Sequence, residues 1–279
     1  MTGRLDGEID LQFVRRGERT VANRRFHRGN SRLSSDIPTT GAVPYYFLIS
    51  TGGGFTEGEH YRQNVELASQ THAILTTQTP NYVYKCEHQR LTTQKNTFRI
   101  GDSALLECYL DETIPYANAY YEQDTRIDME AHARLILTDG LTGGWSPDDT
   151  PFMYRRVGLK TTIRQNDRLV FNDRMLCDPQ VDEMTTMGFF EGKTNYNSVV
   201  FVDEAITAAT VTQLRAVLAP LAMHVRIGVS LLATNGMVVR LLGPNAHENH
   251  TLMWRAINYY REQVVGLAPI SLRKHSVLA

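Results

Sequence analysis

Two histidine-containing pairs and a set of carboxylates are the residues of this chain whose types and spacing could do chemistry. Cys86 and His88 stand two apart, so on a strand they would share one face. A thiolate beside an imidazole suits a soft metal such as nickel or zinc. No second pair at matching spacing joins them, and both are equally at home as ordinary side chains. His247 and His250 are three apart at a helix start, either sharing a metal or simply solvated. Glu107, Asp111, Glu112, Asp124, Asp128 and Asp139 fall near predicted strand ends. Paired carboxylates do acid–base work, whereas turn formers and surface charges need no such role. No GxSxG, HExxH or nucleophile–base pattern accompanies them. An enzyme of unknown reaction would have to rely on Asp111 and Asp139. Gly52-Gly53-Gly54 lacks the GxxxxGK[ST] pattern and no helical period follows it, so it is not a phosphate cradle. These glycines serve positive φ or close backbone approach.

The totals narrow the classes. With 279 residues the chain is one large domain or two small ones. Folding buries about 70–75% of the unfolded chain's surface at this size, enough for a sizeable core. The net charge of -1 provides no bulk attraction to nucleic acid or anionic membrane. Arg15, Arg16, Arg24, Arg25, Arg28 and Arg32 do make one segment basic. It reads as a solvated loop and strand edge, where positive charge discourages edge pairing, or as a docking surface for an acidic partner. No aromatic platform joins it to suggest nucleic acid. Three cysteines without CxxC spacing fit a reducing, cytoplasmic setting. No apolar signal core opens the sequence, and no apolar run approaches the ~18 residues of a membrane span.

The elements that must position these residues are mostly strands. Residues 8–13 alternate polar and apolar, Val43–Ile49 is an apolar run, and 61–67, 71–78 and 82–85 are rich in Thr, Val, Ile and Tyr. Strand signals continue at 89–100, 104–110, 120–128, 131–138, 152–160, 161–165 and 168–171. Between them 111–119 reads as a loop fixed by Pro115, and Asp139–Asp149 as a long turn-rich loop. So many short strands without a helical period predict an all-β body over about 1–202. The chemistry then changes. Thr210-x-x-Gln213 offers a capping box for a short helix ended by Pro220, and Asn235-Gly236 predicts a type I′ hairpin. Asn245-x-x-Glu248 caps a second helix whose apolar stripe runs to a C′ glycine at Gly266. Helix, hairpin and helix occupy about 203–266, followed by a frayed tail, 267–279.

Five pieces in order resemble the urease accessory protein family UreD, also called UreH. They are Gly52-Gly53-Gly54 with Gly58-Glu59; Leu75-Thr76-Thr77-Gln78 with Val83-Tyr84-Lys85; and Leu106-Glu107 with Asp111–Ala119. Asp139 with Gly143-Gly144, and Ser230-Leu231-Leu232 with Val238–Gly243, complete the set. Glu59 departs from the family's usual Asp, Pro80 and Tyr82 from its Ala and Lys, and Thr51 from the Pro of its Pro-Gly-Gly. The resemblance implies a single domain over 1–279, mainly β, with stacked, β-helix-like strands and two helices in the C-terminal third. It implies no catalysis. It implies a urease maturation chaperone that binds apo-urease, recruits UreF and the GTPase UreG, and helps deliver nickel through an internal passage. Nickel(II) would be in transit, with no tightly bound cofactor and no tight metal site. Asp139, Glu107 and Asp111 are the candidates for lining that passage through weak, exchangeable contacts. A β-solenoid interaction module with no metal role is the third alternative, beside the chaperone and the enzyme.

Overall fold

Alternation of inward and outward side chains governs the chain from residue 7 to residue 202. The computed structural model describes residues 5–37, 39 and 43–272. Strands β1 (Gly7–Arg16), β2 (Arg19–Gly29), β3 (Ser31–Leu33) and β4 (Tyr45–Ser50) come first. Next are β5 (His60–Leu67), β6 (His72–Thr77), β7 (Asn81–Val83), β8 (Thr92–Ile100) and β9 (Leu105–Tyr109). Then follow β10 (Thr113–Pro115), β11 (Tyr120–Met129), β12 (Arg134–Thr142), β13 (Arg156–Gln165), β14 (Arg168–Cys177) and β15 (Asn195–Val202). Helix α1 (Ala208–Leu218), strands β16 (Arg226–Leu231) and β17 (Gly236–Gly243), and helix α2 (Ala246–Tyr260) complete the order.

The strands form two sheets. One runs β14-β13-β11-β8-β5-β1-β2 and the other β16-β17-β15-β12-β9-β6-β4-β3, with β7 and β10 paired beside β12. Within them β5, β8, β11 and β13 pair in parallel, as do β4, β6, β9 and β12. The chain crosses from one sheet to the other at β5–β6, β8–β9 and β11–β12, so each crossing adds a coil to a stack. This is the expected β-solenoid-like body with two helices in the C-terminal third. Between the sheets, Val65, Phe98, Ile127, Ile163, Leu106 and Leu135 build one apolar core. A second lies between the outer face of the ten-stranded sheet and the helices, joining Ile74, Ile136 and Phe201 to Leu214 and Ile257. A third gathers Phe55, Tyr61, Tyr121, Val157 and Phe190. Among the described residues no helix is long and apolar enough to cross a membrane.

Several local expectations change. The strand β12 continues through Asp139-Gly140-Leu141-Thr142, where a loop was expected, because those residues pair with β15. Asp139 therefore stands in a strand. The predicted loop 111–119 contains β10, which bridges β7 and β12. The basic segment lies along the edge as expected, but in strands: Arg24, Arg25 and Arg28 are on the edge strand β2, Arg15 and Arg16 end β1, and Arg32 is in β3. Asn235-Gly236 does not make a type I′ turn: Asn235 has φ +47°, but Gly236 is not left-handed. That glycine is required because a Cβ there would collide with the Phe201 carbonyl. The two-residue turn with both φ positive is Asn166-Asp167, at +48° and +61°, joining β13 to β14. Helix α1 is capped by Thr207 with Thr210, three residues before the expected start. Asn245 caps α2 as expected, but a π-helical turn, Arg261–Val265, intervenes before Gly266 closes it at φ +76°. In the tail, Asn258 exchanges two hydrogen bonds with the backbone of Ile270, 2.8 and 3.2 Å, so 267–272 is tied down. The remainder, 273–279, lies outside the described residues.

Candidate functional site: buried carboxylates and an internal polar track

The inner positions of β8 and β11 are polar in their first halves and apolar in their second. Gln94-x-Asn96-x-Phe98-x-Ile100 is matched by Gln123-x-Thr125-x-Ile127-x-Met129 on the neighbouring strand. Parallel, in-register pairing therefore stacks polar on polar and apolar on apolar inside the solenoid. Tyr121 Oη donates to Gln94 Oε1 at 3.1 Å, Gln94 Nε2 to Asn96 Oδ1 at 2.9 Å, and Asn96 Nδ2 to Thr125 Oγ1 at 3.0 Å. Gln123 Nε2 donates to Asp139 Oδ2 at 3.0 Å, and the Gly140 amide to Asp139 Oδ1 at 2.9 Å. The track thus ends on a carboxylate from the facing sheet.

Asp139 is half-buried and lines a cavity of about 20 Å³ together with Thr161, Asp173, Tyr196 and Ser198. That is room for about one water-sized particle. Burial pushes the Asp139 carboxyl up to about 7, with the charges of Asp173 and Glu112 adding to it. The Gly140 and Gln123 donors oppose the shift without cancelling it.

Glu107 occupies the opposite face of the same sheet. It pairs in register with Ile136, an outer position, whereas Asp139 points inward. Glu107 is fully buried, 2.6 Å from His72 Nε2, and it accepts from Tyr109 Oη and Arg261 Nη1. Burial alone would raise its carboxyl, yet His72 and Arg261 outweigh it and hold the group below the usual range. Glu112, between β9 and β10 and five residues beyond Glu107, repeats the arrangement. It is buried, accepts from Asn197 Nδ2 at 2.8 Å and pairs with His250 of α2. Again burial works upward, and His250 and Asn197 bring the carboxyl down. Asp111 accepts from Thr77 Oγ1 at 2.9 Å.

The three candidate passage residues are therefore not one cluster. Asp139 lies on the internal track, Glu107 beneath the end of α2, and Asp111 on Thr77. The charges that weigh most on Asp139 are those of Asp173 and Glu112. Cys86 and His88 do not share a strand face. Cys86 is buried, while His88 is exposed in a turn, 3.1 Å from Glu57. His247 is exposed and His250 turns to Glu112, so this pair is split as well. Among the described residues no group of three or more His, Cys, Asp or Glu could hold a metal ion. Asp124 carries an ion pair to Arg126 on the outer surface, 2.8 Å. Residue-type reasoning passed over Gln94, Gln123, Asp173 and Arg261. The repeated Gln-x-Asn/Thr ahead of two apolar inner positions was the available signal for the first two. Nothing local marks Arg261.

The fold and the site define a β-solenoid with an apolar core, one polar track inside it, and buried carboxylates that tie the ten-stranded sheet to the C-terminal helix. The family profile described as UreD urease accessory protein matches residues 5–276. A urease accessory protein UreD of Streptococcus salivarius (strain 57.I) is 42% identical over 277 residues, 99% of each chain. One of Paenarthrobacter aurescens (strain TC1) is 30% identical over 283 residues, 98% of this chain and 96% of the other. One of Bacillus cereus (strain ATCC 10987 / NRS 248) is 26% identical over 270 residues, 96% and 98%. The chain belongs to the UreD family of urease accessory proteins. The family is named for an accessory role in making urease, not for a catalysed reaction.

Proposed function

We propose that this protein is a urease maturation chaperone that binds apo-urease, recruits UreF and the GTPase UreG, and gives nickel a path through its interior. Family membership supports the maturation role. The observation that carries the path is the polar track inside an otherwise apolar stack, ending on Asp139. A carboxylate with its pKa near 7 is only partly ionised at neutral pH. It would hold a divalent cation weakly enough to release it, which a conduit needs and a storage site does not. Nickel is cargo here, and no tightly bound cofactor is part of the proposal. The partners of Glu107 favour anchoring α2 over meeting a cation, because Arg261 and His72 already satisfy its charge. Asp111, which accepts from the Thr77 hydroxyl, is the second candidate. The three cysteines are free and buried, in keeping with a reducing cytoplasm.

The test is co-expression of this chain with the urease subunits, UreF and UreG, with complex formation and urease nickel content as readouts. Deleting the chain should abolish nickel loading, and Asp139→Ala should lower nickel with the complex intact. A complex with full nickel in Asp139→Ala would leave a scaffold without a conduit. Normal nickel without the chain, and no complex, would overturn the proposal.

A further inference from the structure

The stack of coils is closed at one end and open at the other. Where β2 passes into β3, the chain ties the sheets together. Asn30 N donates to Asp6 O at 2.7 Å, and Thr51 N to Asn30 O at 2.9 Å. At the other end β14 is the last strand of its sheet, and no ladder joins it to β15, β16 or β17. Across this seam the Arg226–Glu191 ion pair, 2.6 Å, joins β16 to the segment that follows β14. Such an edge is ordinarily covered or blunted, yet here it borders a groove of about 500 Å³.

The groove and the cavity at Asp139 share part of one wall, formed by Asp173, Met175 and Tyr196. Asp173 on β14 meets Arg240 on β17, Oδ2 to Nη2, at 3.1 Å, so the ion pair bridges the two sheets at this wall. Both side chains keep part of their surface in solvent, 34% and 46%. Arg240 is also hydrogen-bonded to Tyr196 on the same wall, and a partly exposed ion pair contributes little net stability.

We infer that the open end of the stack is the mouth of the interior passage and that the Asp173–Arg240 pair is its cation-operated gate. This rests on the nickel-transit reading above. An arriving divalent cation competes with the guanidinium for the Asp173 carboxylate, because two charges on a small oxygen-seeking ion bind a carboxylate more strongly than one spread over a guanidinium. Arg240 swings outward, and the next carboxylate inward is Asp139, with the Thr161 and Ser198 hydroxyls beside it. No bond forms or breaks other than coordination and hydrogen bonds. The guanidinium leaves as the cation enters, so the negative charge at the mouth is never left uncovered.

The experiment reads the gate without relying on urease. Ser198→Cys places a thiol in the inner cavity of the full chain, and its modification by a small methanethiosulfonate is timed by mass spectrometry of the peptide containing residue 198. Thr161→Cys is the second reporter, should the first variant fail to fold. Adding Arg240→Gln should speed modification about fivefold, the scale set by a partly exposed ion pair. Manganese(II), which prefers carboxylates to thiols, should speed it in the presence of Arg240 and Asp173, and not after Asp173→Asn. An unchanged rate in Arg240→Gln with no response to manganese would overturn the gate. The nickel content of co-expressed urease separates the two ideas. If Asp139→Ala lowers nickel while Arg240→Gln leaves the thiol rate unchanged, the passage stands and its mouth lies elsewhere. If the thiol rate responds as expected while Asp139→Ala leaves nickel unchanged, the gate stands and the transit reading falls.

Discussion

At the scale of single residues, the half-buried Asp139 and the fully buried Glu107 are carboxylates that pull stability in opposite directions with pH. The Asp139 carboxyl rises from 3.8 in the unfolded chain to about 7 in the fold. Between those values the folded chain binds a proton that the unfolded chain has released, so Asp139's contribution to stability falls as pH rises through that window. Asp139→Asn removes this titration and keeps a side chain of the same size. The melting temperature of the variant should match the parent near pH 4 and exceed it by several degrees at pH 8, at roughly 2–4 °C per kcal/mol for a chain of this length. Parallel melting curves across that range would rule the shift out. Glu107 has the other sign. Its carboxyl is held below 4.5, so its stabilisation is present above that pH and is lost as pH falls through the lowered value.

At the scale of elements, the structure depends on long-range ties that local patterns do not announce. Glu107 joins β9 to the π-helical turn at Arg261, 154 residues further along. Glu107→Ala leaves the Arg261 guanidinium buried without its carboxylate, and a loss of about 3–5 kcal/mol is expected in urea unfolding. A loss below 1 kcal/mol would mean that the pair does not anchor α2. The same distinction explains what could be read in advance. The caps at Asn245 and Gly266 were legible because a cap is satisfied within one turn of chain. The body was legible as stacked strands because inner and outer positions alternate along it. Asp139 was misplaced in a loop because Gly140, Gly143 and Gly144 look like turn residues. In the fold, Gly140 is small for another reason: a Cβ there would lie 2.7 Å from the Tyr196 carbonyl oxygen on β15. Asn235-Gly236 misled in the same way. Gly140 and Gly236 each answer to a strand more than thirty residues away in sequence. The candidate site suffered accordingly. Carboxylates could be recognised by type, but which face of which sheet each occupies follows only from register.

At the scale of the whole molecule, the helices close the outer face of the ten-stranded sheet. Ile74, Ile136 and Phe201 are buried there only because α1 and α2 lie over them, and α2 is pinned by Glu112–His250 near its start and Glu107–Arg261 at its end. Truncation after Tyr260 removes the second pin along with the strap that Ile270 fastens to Asn258. The truncated chain should bind a hydrophobic dye such as ANS and lose soluble yield, and a truncation with native dye binding would show that the helices hold without their last turn. The arrangement also bears on synthesis. All strands of the stack through β15 precede the helix that covers them, with roughly sixty residues between β15 and Arg261. At roughly 5–20 residues per second, a growing chain presents that apolar sheet face uncovered for several seconds. The ribosome-bound protein thus passes through a stage with its coils built and its roof missing. During that interval holding chaperones, or another nascent copy, compete with α2 for the same surface.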